Sequence, residues 1–194
     1  MPFGKLFIIS GPSGVGKSTL VRSLLQGDEC KGLLHRVITY TTRPPREYEQ
    51  DGVDYHFITQ HEFKEKIKEN FFLEFSTWYD YHYGTPASIL KKLEKGTSFV
   101  TVVDRQGARE IVRKYPGAMT IWIQAPSLAV LQERLSERGT DDRETIERRI
   151  QKAVFEQQEE DAQGAYKYHI INDLFETTLN EMITIIRNEA LCKG

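Results

Sequence analysis

Cysteine is almost missing from this chain. Cys30 and Cys192 are the two it has, and they lie near opposite ends, so the sequence carries no disulfide framework and fits a reducing compartment. Long apolar runs are missing too. No stretch approaches the roughly 18 apolar residues of a membrane span, and the opening "MPFGKLFIIS" is too short for the apolar core of a secretory leader. A cytoplasmic location without a membrane partner is the expectation. Nor is there a surplus of basic charge: 26 Lys and Arg against 28 Asp and Glu leave a net charge of −2. Such a chain has no global pull on a nucleic-acid backbone, so a nucleic-acid polymer is not expected as a partner, and any anion must be met by a local cluster of Arg or Lys. Repeats, low-complexity tracts and long Gly/Ser linkers are also lacking, which excludes solenoids and strings of tethered domains. What remains is 194 residues, 39% hydrophobic and 28% charged, enough for one sizeable core.

The apolar residues that are present fall into short runs, "KLFIIS" (5–10), "SFVTVV" (98–103), "MTIWIQ" (119–124) and "YHII" (168–171). These are rich in branched and aromatic residues and do not alternate cleanly, as expected of strands buried on both faces. Helical patterns at 17–26, 106–115, 127–138 and 175–191 lie between or after them. Strands alternating with helices predict an α/β fold, a parallel sheet covered on both sides in three layers. Two regions break the rhythm. Residues 38–90 read as short strands ("VITY", "DYHFI", "FLEFSTW") around a helix "HEFKEKIKEN", and residues 139–162 form a strongly charged segment; both look attached to the core sheet.

"GPSGVGKST" (11–19) follows the first strand and opens the first helix. Gly11, Pro12, Ser13, Gly14, Val15 and Gly16 can fold so that successive N–H groups converge on phosphate oxygens. Lys17 can reach the β and γ phosphates, Ser18 can ligate Mg²⁺, and Thr19 completes the helix start. A nucleoside triphosphate site follows, with hydrolysis, switching and transfer all open.

A second cationic feature is "TTRPPREYEQDGVDY" (41–55). Pro44 and Pro45 stiffen the backbone between Arg43 and Arg46, and planar guanidinium forks suit a phosphate monoester. Tyr55 and Tyr83, on flanking segments, could add hydroxyls. Taken alone, the segment reads equally as a solvated Pro-rich turn.

"GPSGVGKST", "TTRPPREYEQDGVDYHF", "FLEF", "HYGTP", "DRQGAREI" and "ERLSERGTDDRETIERR" occur in the order and at the spacing of the guanylate kinase family, which this chain resembles over nearly its whole length. The resemblance implies a P-loop kinase core (1–37, 91–133 and 163–194), a mixed α/β nucleoside-monophosphate-binding region (38–90) and a helical lid (134–162). It implies transfer of the γ-phosphoryl group of ATP, taken with Mg²⁺, to GMP or dGMP, in a monomer or small homo-oligomer. Arg43, Arg46, Tyr55 and Tyr83 fall on the positions that bind the GMP phosphate. Guanine presents N1–H and an amine as donors beside the O6 acceptor, so a selective pocket needs carboxylates and a hydroxyl. Glu74 and Asp104 fall on the carboxylate positions, Thr39 and Thr85 where serines are usual. Glu74 also reads as an edge-strand acid and Asp104 as a helix cap.

Charge spread over a transferring phosphoryl group is met by cations in a site cleared of water. Arg138 and Arg149 match the lid arginines of the family and Arg134 matches more weakly, while Arg148 reads as half of an i,i+4 pair with Glu144. Asn172 sits where the family meets the ATP adenine, though Asn172 or Asp173 could equally cap the last helix. The chain departs from the family at "VVDRQG", where Val102 replaces an acid near hydrated Mg²⁺. Ser18 is then left as the protein ligand, with a higher Mg²⁺ requirement expected. Arg105, beside Asp104, could partly neutralise that acid.

Overall fold

The computed structural model describes residues 3–78, 80–137 and 142–191. Along the chain run β1 (Leu6–Ser10), α1 (Lys17–Gln26), β2 (His35–Arg36), β3 (Thr39–Thr41), β4 (Tyr55–Phe57), α2 (Gln60–Lys68), β5 (Phe72–Trp78) and β6 (Tyr81–Pro86). They are followed by α3 (Ile89–Glu94), β7 (Phe99–Val102), α4 (Arg105–Lys114), β8 (Met119–Gln124), α5 (Leu128–Glu137), α6 (Arg143–Gln163), β9 (Tyr168–Ile171) and α7 (Phe175–Leu191).

Five strands form an all-parallel sheet in the order β2-β7-β1-β8-β9. Every residue of β1 is buried, because a central parallel strand has helices on both faces. Its side chains alternate between two cores. Phe7 and Ile9 join Leu20 and Leu24 of α1 and Met182 and Ile186 of α7, while Leu6 and Ile8 join Leu93 of α3, Ile111 of α4 and Trp122 of β8. This is the expected three-layer α/β fold. At about 1.5–3 kcal/mol for each large apolar side chain buried, the two clusters hold the carboxyl edge of the sheet rigid. Five connections leave that edge: 11–16 after β1, 37–38 after β2, 103–104 after β7, 125–127 after β8 and 172–174 after β9. In open α/β sheets, ligands bind at such an edge.

A second sheet has the order β4-β3-β6-β5, with β3 and β4 parallel and the rest antiparallel. Aromatic packing holds it to α2: Phe63 stacks on Phe72 at 4.5 Å and on His82 at 5.2 Å, and Tyr40 meets Phe71 edge-on at 5.1 Å. These contacts account for Phe71, Phe72 and His82 as packing. α2 opens with a capping box, in which Thr59 accepts from Glu62 N and the Glu62 carboxylate accepts from Thr59 N, an arrangement that satisfies two orphan donors. The two sheets meet where β5 lies on α4: Leu73 is in the α4-side core, and Lys114 Nζ donates to the Leu73 carbonyl.

From Arg143 to Gln163 the chain is one unbroken helix of 21 residues, α6. Asp142 caps it by accepting from Thr145 N at 2.7 Å, and Gly164, in the left-handed region at φ 55°, ends it. That αL terminus favours glycine.

Candidate functional site

The loop 11–16 joins the end of β1 to the start of α1, and Gly16 heads that helix without a side-chain cap. The first helical N–H groups are therefore available to an anion. Gly16 has φ 92°, and a Cβ placed there would lie 2.6 Å from Asn172 Nδ2. Both facts require glycine. Asn172, buried at the end of β9, donates Nδ2 to the Val15 carbonyl at 2.8 Å, while its buried Oδ1 has no partner. It braces the loop and does not cap α7, a role that would need Oδ1 to accept from a backbone N–H. Lys17 turns its ammonium back onto the Gly11 and Pro12 carbonyls, both at 2.6 Å. From α6, Arg149 Nη1 donates to Ser13 Oγ at 3.1 Å. Arg134 on α5 reaches the Asp173 carbonyl at 3.5 Å. Arg138 lies outside the described residues.

After β3 of the second sheet, Arg43 is held by side-chain partners as well as by the stiff Pro44–Pro45 backbone. Its Nη2 donates to both oxygens of Glu49, at 2.8 and 2.9 Å, and Nη1 donates to the Pro44 carbonyl at 2.8 Å. The guanidinium lies over the rings of Tyr55 and Phe57, 5.6 and 6.0 Å from their centroids. Glu49 also accepts from Arg46 N at 2.9 Å, while the Arg46 side chain is half exposed. Glu49 is thus a resident carboxylate between the two arginines, missed in the sequence; an acid three residues after Arg46 in a turn was the available signal. The rings of Tyr55 and Tyr83 meet edge to face, with centroids 6.1 Å apart. Burial first, then the neighbouring Tyr83, pushes the Tyr55 phenol above its ordinary range, which keeps it a hydrogen-bond donor.

Glu74 is carried on β5 just past an irregularity between Phe72 and Glu74, which sets it directly opposite Thr85 of β6. A local shift of register re-aims a side chain in this way. Its side chain is buried, and Thr85 Oγ1 donates to Oε1 at 2.6 Å. The Thr85 proton is thereby committed, and Thr39, buried on β3, is left as the hydroxyl with a proton to offer. Desolvation raises the Glu74 pKa to about 7 against the opposing Thr85 bond, with Asp104 and Glu110 adding to the rise. Asp104 caps α4, its Oδ1 accepting from Gly107 N at 2.7 Å. A Cβ on Gly107 would stand 2.7 Å from Glu74 Oε2. Gly107 therefore lets two carboxylates approach one point, and Asp104 can be helix cap and site acid together.

A crevice between the sheets is lined by Ser18 of α1, Val100 and Val102 of β7, Thr39 and Tyr55. It joins the head of the phosphate loop helix to the second sheet. Among the described residues no group of three or more His, Cys, Asp or Glu could hold a metal. Ser18 is the oxygen donor of the phosphate loop on that crevice, facing apolar Val102. A hydroxyl with few protein partners suits Mg²⁺, which keeps several waters and takes phosphate oxygens.

A glycine loop closing on a lysine at the carboxyl edge of a parallel sheet, with a separate arginine pair on an attached sheet, defines a P-loop phosphotransferase with a phosphorylated acceptor. The sequence model of the guanylate kinase family matches residues 3–189. A guanylate kinase of Nitrosospira multiformis is 41% identical over 190 residues, covering 97% of this chain and 87% of its own. One of Haemophilus influenzae is 40% identical over 195 residues, covering 100% and 92%. The crystal structure of guanylate kinase from Anaplasma phagocytophilum superimposes with a TM-score of 0.79 at 26% identity, covering 98% of this chain and 88% of that one. The chain belongs to the guanylate kinase family.

Proposed function

We propose that this chain transfers the γ-phosphoryl group of ATP to GMP, giving ADP and GDP, with dGMP as an alternative acceptor. The observation that carries the reading is the crevice in which Ser18, at the head of α1, faces Thr39 and Tyr55 of the second sheet: it sets a triphosphate cradle against an acceptor site. Residues 38–90 are the acceptor region, 134–162 the lid and the remainder the core.

The backbone of 11–16 cradles the β and γ phosphates. Lys17 exchanges the Gly11 and Pro12 carbonyls for phosphate oxygens, a stronger, charge-assisted pairing. Arg43, Arg46, Tyr55 and Tyr83 hold the acceptor phosphate, and ionised Glu74 with Asp104 takes the guanine N1–H and amine while Thr39 meets O6. An oxygen of the GMP phosphate attacks the γ-phosphorus. A new P–O bond forms as the bond to the bridging oxygen breaks and ADP leaves. No general base is needed, since the attacking oxygen already carries charge. Lys17 and Arg149, joined by Arg138, meet the charge that spreads over the transferring group. Ser18 would hold Mg²⁺ arriving with ATP, and the metal would supply further charge neutralisation when bound. Closing α6 over the loop keeps water from taking the phosphoryl group.

The test is ADP production from ATP and Mg²⁺ with GMP, dGMP, AMP, CMP, UMP and no acceptor in turn. Turnover confined to GMP and dGMP is expected. Turnover with no acceptor would make the chain an ATPase. No turnover at all, in protein that binds ATP, would make it a binding module.

A further inference from the structure

Arg105, the first residue of α4, follows the Asp104 cap but turns away from it. Its guanidinium is buried over the ring of Trp122, 5.8 Å from the centroid, and is spent on α6. Nη1 donates to Glu159 Oε2 at 2.7 Å and to the Glu156 carbonyl at 3.3 Å; Nη2 reaches Glu160 Oε2 and Gln163 Oε1, each at 3.4 Å. Positions 156, 159, 160 and 163 are i, i+3, i+4 and i+7, one stripe of a helix. A planar fork meeting four acceptors on one stripe fixes both the position and the rotation of that helix. Around it, Trp122 Nε1 donates to Gln157 at 2.9 Å, Arg109 binds Gln163, and fully buried Glu160 also pairs with His169 at 2.9 Å and accepts from Tyr166 N at 3.1 Å.

The other half of α6 is held differently. It packs Ile146 and Ile150 against the cluster containing Leu131 and Leu135 of α5, and Arg149 touches Ser13. A cavity of about 320 Å³, walled by Pro12, Val15 and Leu131 and, from α6, by Ala153, Gln157 and Asp161, lies where this half joins the part held by Arg105. The helix has a bolted foot, an arm held by apolar packing and by Arg149, and no break between them.

We propose that Arg105 is a positioning residue for phosphoryl transfer: it makes residues 156–163 a fixed pivot, so that the lid arm tilts as one rigid lever and sets Arg149 over the phosphate loop. The proposal rests on the kinase reading above. Arg149 lies about 10 Å along the helix from Glu156, so a tilt of roughly 10° moves it by about 2 Å. Removing Arg105 alone leaves buried Glu160 with His169 as its ion partner and costs stability, so the kinetics of the variant are referred to its folded fraction.

The test compares Arg105→Leu, Arg105→Lys and Glu159→Ala with the unaltered protein in steady-state kinetics and in amide hydrogen exchange across 143–163. Misplacing a charge-stabilising arginine by an ångström or two lowers kcat more than KM. The expected result for Arg105→Leu is a kcat at least about tenfold lower with the KM for ATP and for GMP within about threefold. Arg105→Lys, which keeps the charge and loses the fork, should fall between. Exchange should rise across the whole of α6 in Arg105→Leu while β8 and the rest of α4 keep their protection. A kcat within about twofold of the unaltered protein, a KM rise as large as the kcat fall, or a loss that only tracks the folded fraction would each overturn the proposal. Should Arg105→Leu fail to fold, Glu159→Ala, which removes the 2.7 Å partner alone, is expected to lower kcat about threefold, and an unchanged kcat there overturns it. If the unaltered protein turns over no acceptor, the kinase reading fails by itself. Exchange then still decides, since unchanged protection across α6 in Arg105→Leu removes the pivot.

Discussion

Thr85 donates its hydroxyl hydrogen to Glu74 across 2.6 Å, from the residue directly opposite on the neighbouring strand. The bond favours the carboxylate but does not offset its desolvation, which lifts the group from 4.5 to about 7, with Asp104 and Glu110 adding to the rise. A folded-state pKa above the unfolded one means that the native state binds more protons between those values, so stability falls as pH rises through that window.

Guanine offers donors, so GMP requires Glu74 ionised, and binding must release its proton below pH 7. The KM for GMP should therefore rise as pH falls from 8 to 5.5, by up to about tenfold per unit below the Glu74 pKa, while the KM for ATP stays level. The acceptor phosphate itself titrates near a pKa of about 6, so the quantity that decides is the difference between the unaltered protein and Glu74→Gln. The variant should bind GMP at least about a hundredfold more weakly and lack the Glu74 component. It should also melt higher than the unaltered protein at pH 8, by up to about 3 kcal/mol of stability, with the gap narrowing as pH falls through 7 and closing at about pH 4. Parallel pH profiles for the two proteins would remove Glu74 from the base pocket.

Gly107 admits a narrower test. An alanine there improves intrinsic helix propensity by about 1 kcal/mol, yet its Cβ would stand 2.7 Å from Glu74 Oε2, and Thr85 holds that carboxylate in place. Gly107→Ala is expected to leave the melting temperature within a few degrees and to raise the KM for GMP about tenfold, with that for ATP unchanged. Equal KM values for GMP in the two proteins would show that the carboxylate moves aside without consequence.

The arginine pair separates the two nucleotide sites. Arg43→Ala removes a fork braced by Glu49 and Pro44 and should raise the KM for GMP about a hundredfold while ATP affinity, measured by calorimetry, stays within about twofold. Arg43→Lys should recover little, because an ammonium cannot reproduce the bidentate geometry. A selective loss of ATP affinity would mean that the two sites are assigned the wrong way round.

The parts legible in the sequence are those written locally. The runs at 5–10, 98–103, 119–124 and 168–171 became β1, β7, β8 and β9 within a residue or two of their expected ends, since a strand buried on both faces must be apolar throughout. The phosphate loop was legible because each of its residue types has its own mechanical reason. What stayed hidden depends on distant partners. "YHYGTP" forms β6, the centre of the second sheet, although Gly and Pro argue against a strand; Gly84 is needed there because a Cβ would strike Phe72 at 2.7 Å. β2, two residues long, and α3, six residues long, carry too few positions for a period to register. On α6 the i,i+4 ion pairs among the described residues include Arg143 with Glu147 at 3.1 Å and Lys152 with Glu156 at 4.0 Å, whereas Arg148 bonds Thr145. Arg105 did not turn on Asp104. Its partners lie 51–58 residues onward, a distance over which no pattern of neighbours says where a side chain points.

Val102 carries the remaining prediction. It lines the crevice with Ser18, and its methyl groups pack on the core where an acid would bring a second oxygen toward hydrated Mg²⁺. A cation held by one protein hydroxyl, phosphate oxygens and water depends on the nucleotide for most of its ligands, so half-maximal activity should need more Mg²⁺ than ATP complexation alone demands. Val102→Asp adds an outer-shell hydrogen-bond acceptor for the metal's waters and should lower that concentration several-fold, with kcat at saturating Mg²⁺ within about threefold. It also puts an acid beside a core, so the variant should lose about 1–3 kcal/mol of stability in the absence of nucleotide and Mg²⁺ and regain part of it when both are present. Mg²⁺ titrations of activity at fixed ATP, with thermal melts with and without Mg²⁺–ATP, read both effects. Superimposable titrations for the two proteins would place Val102 outside the reach of the metal's hydration shell.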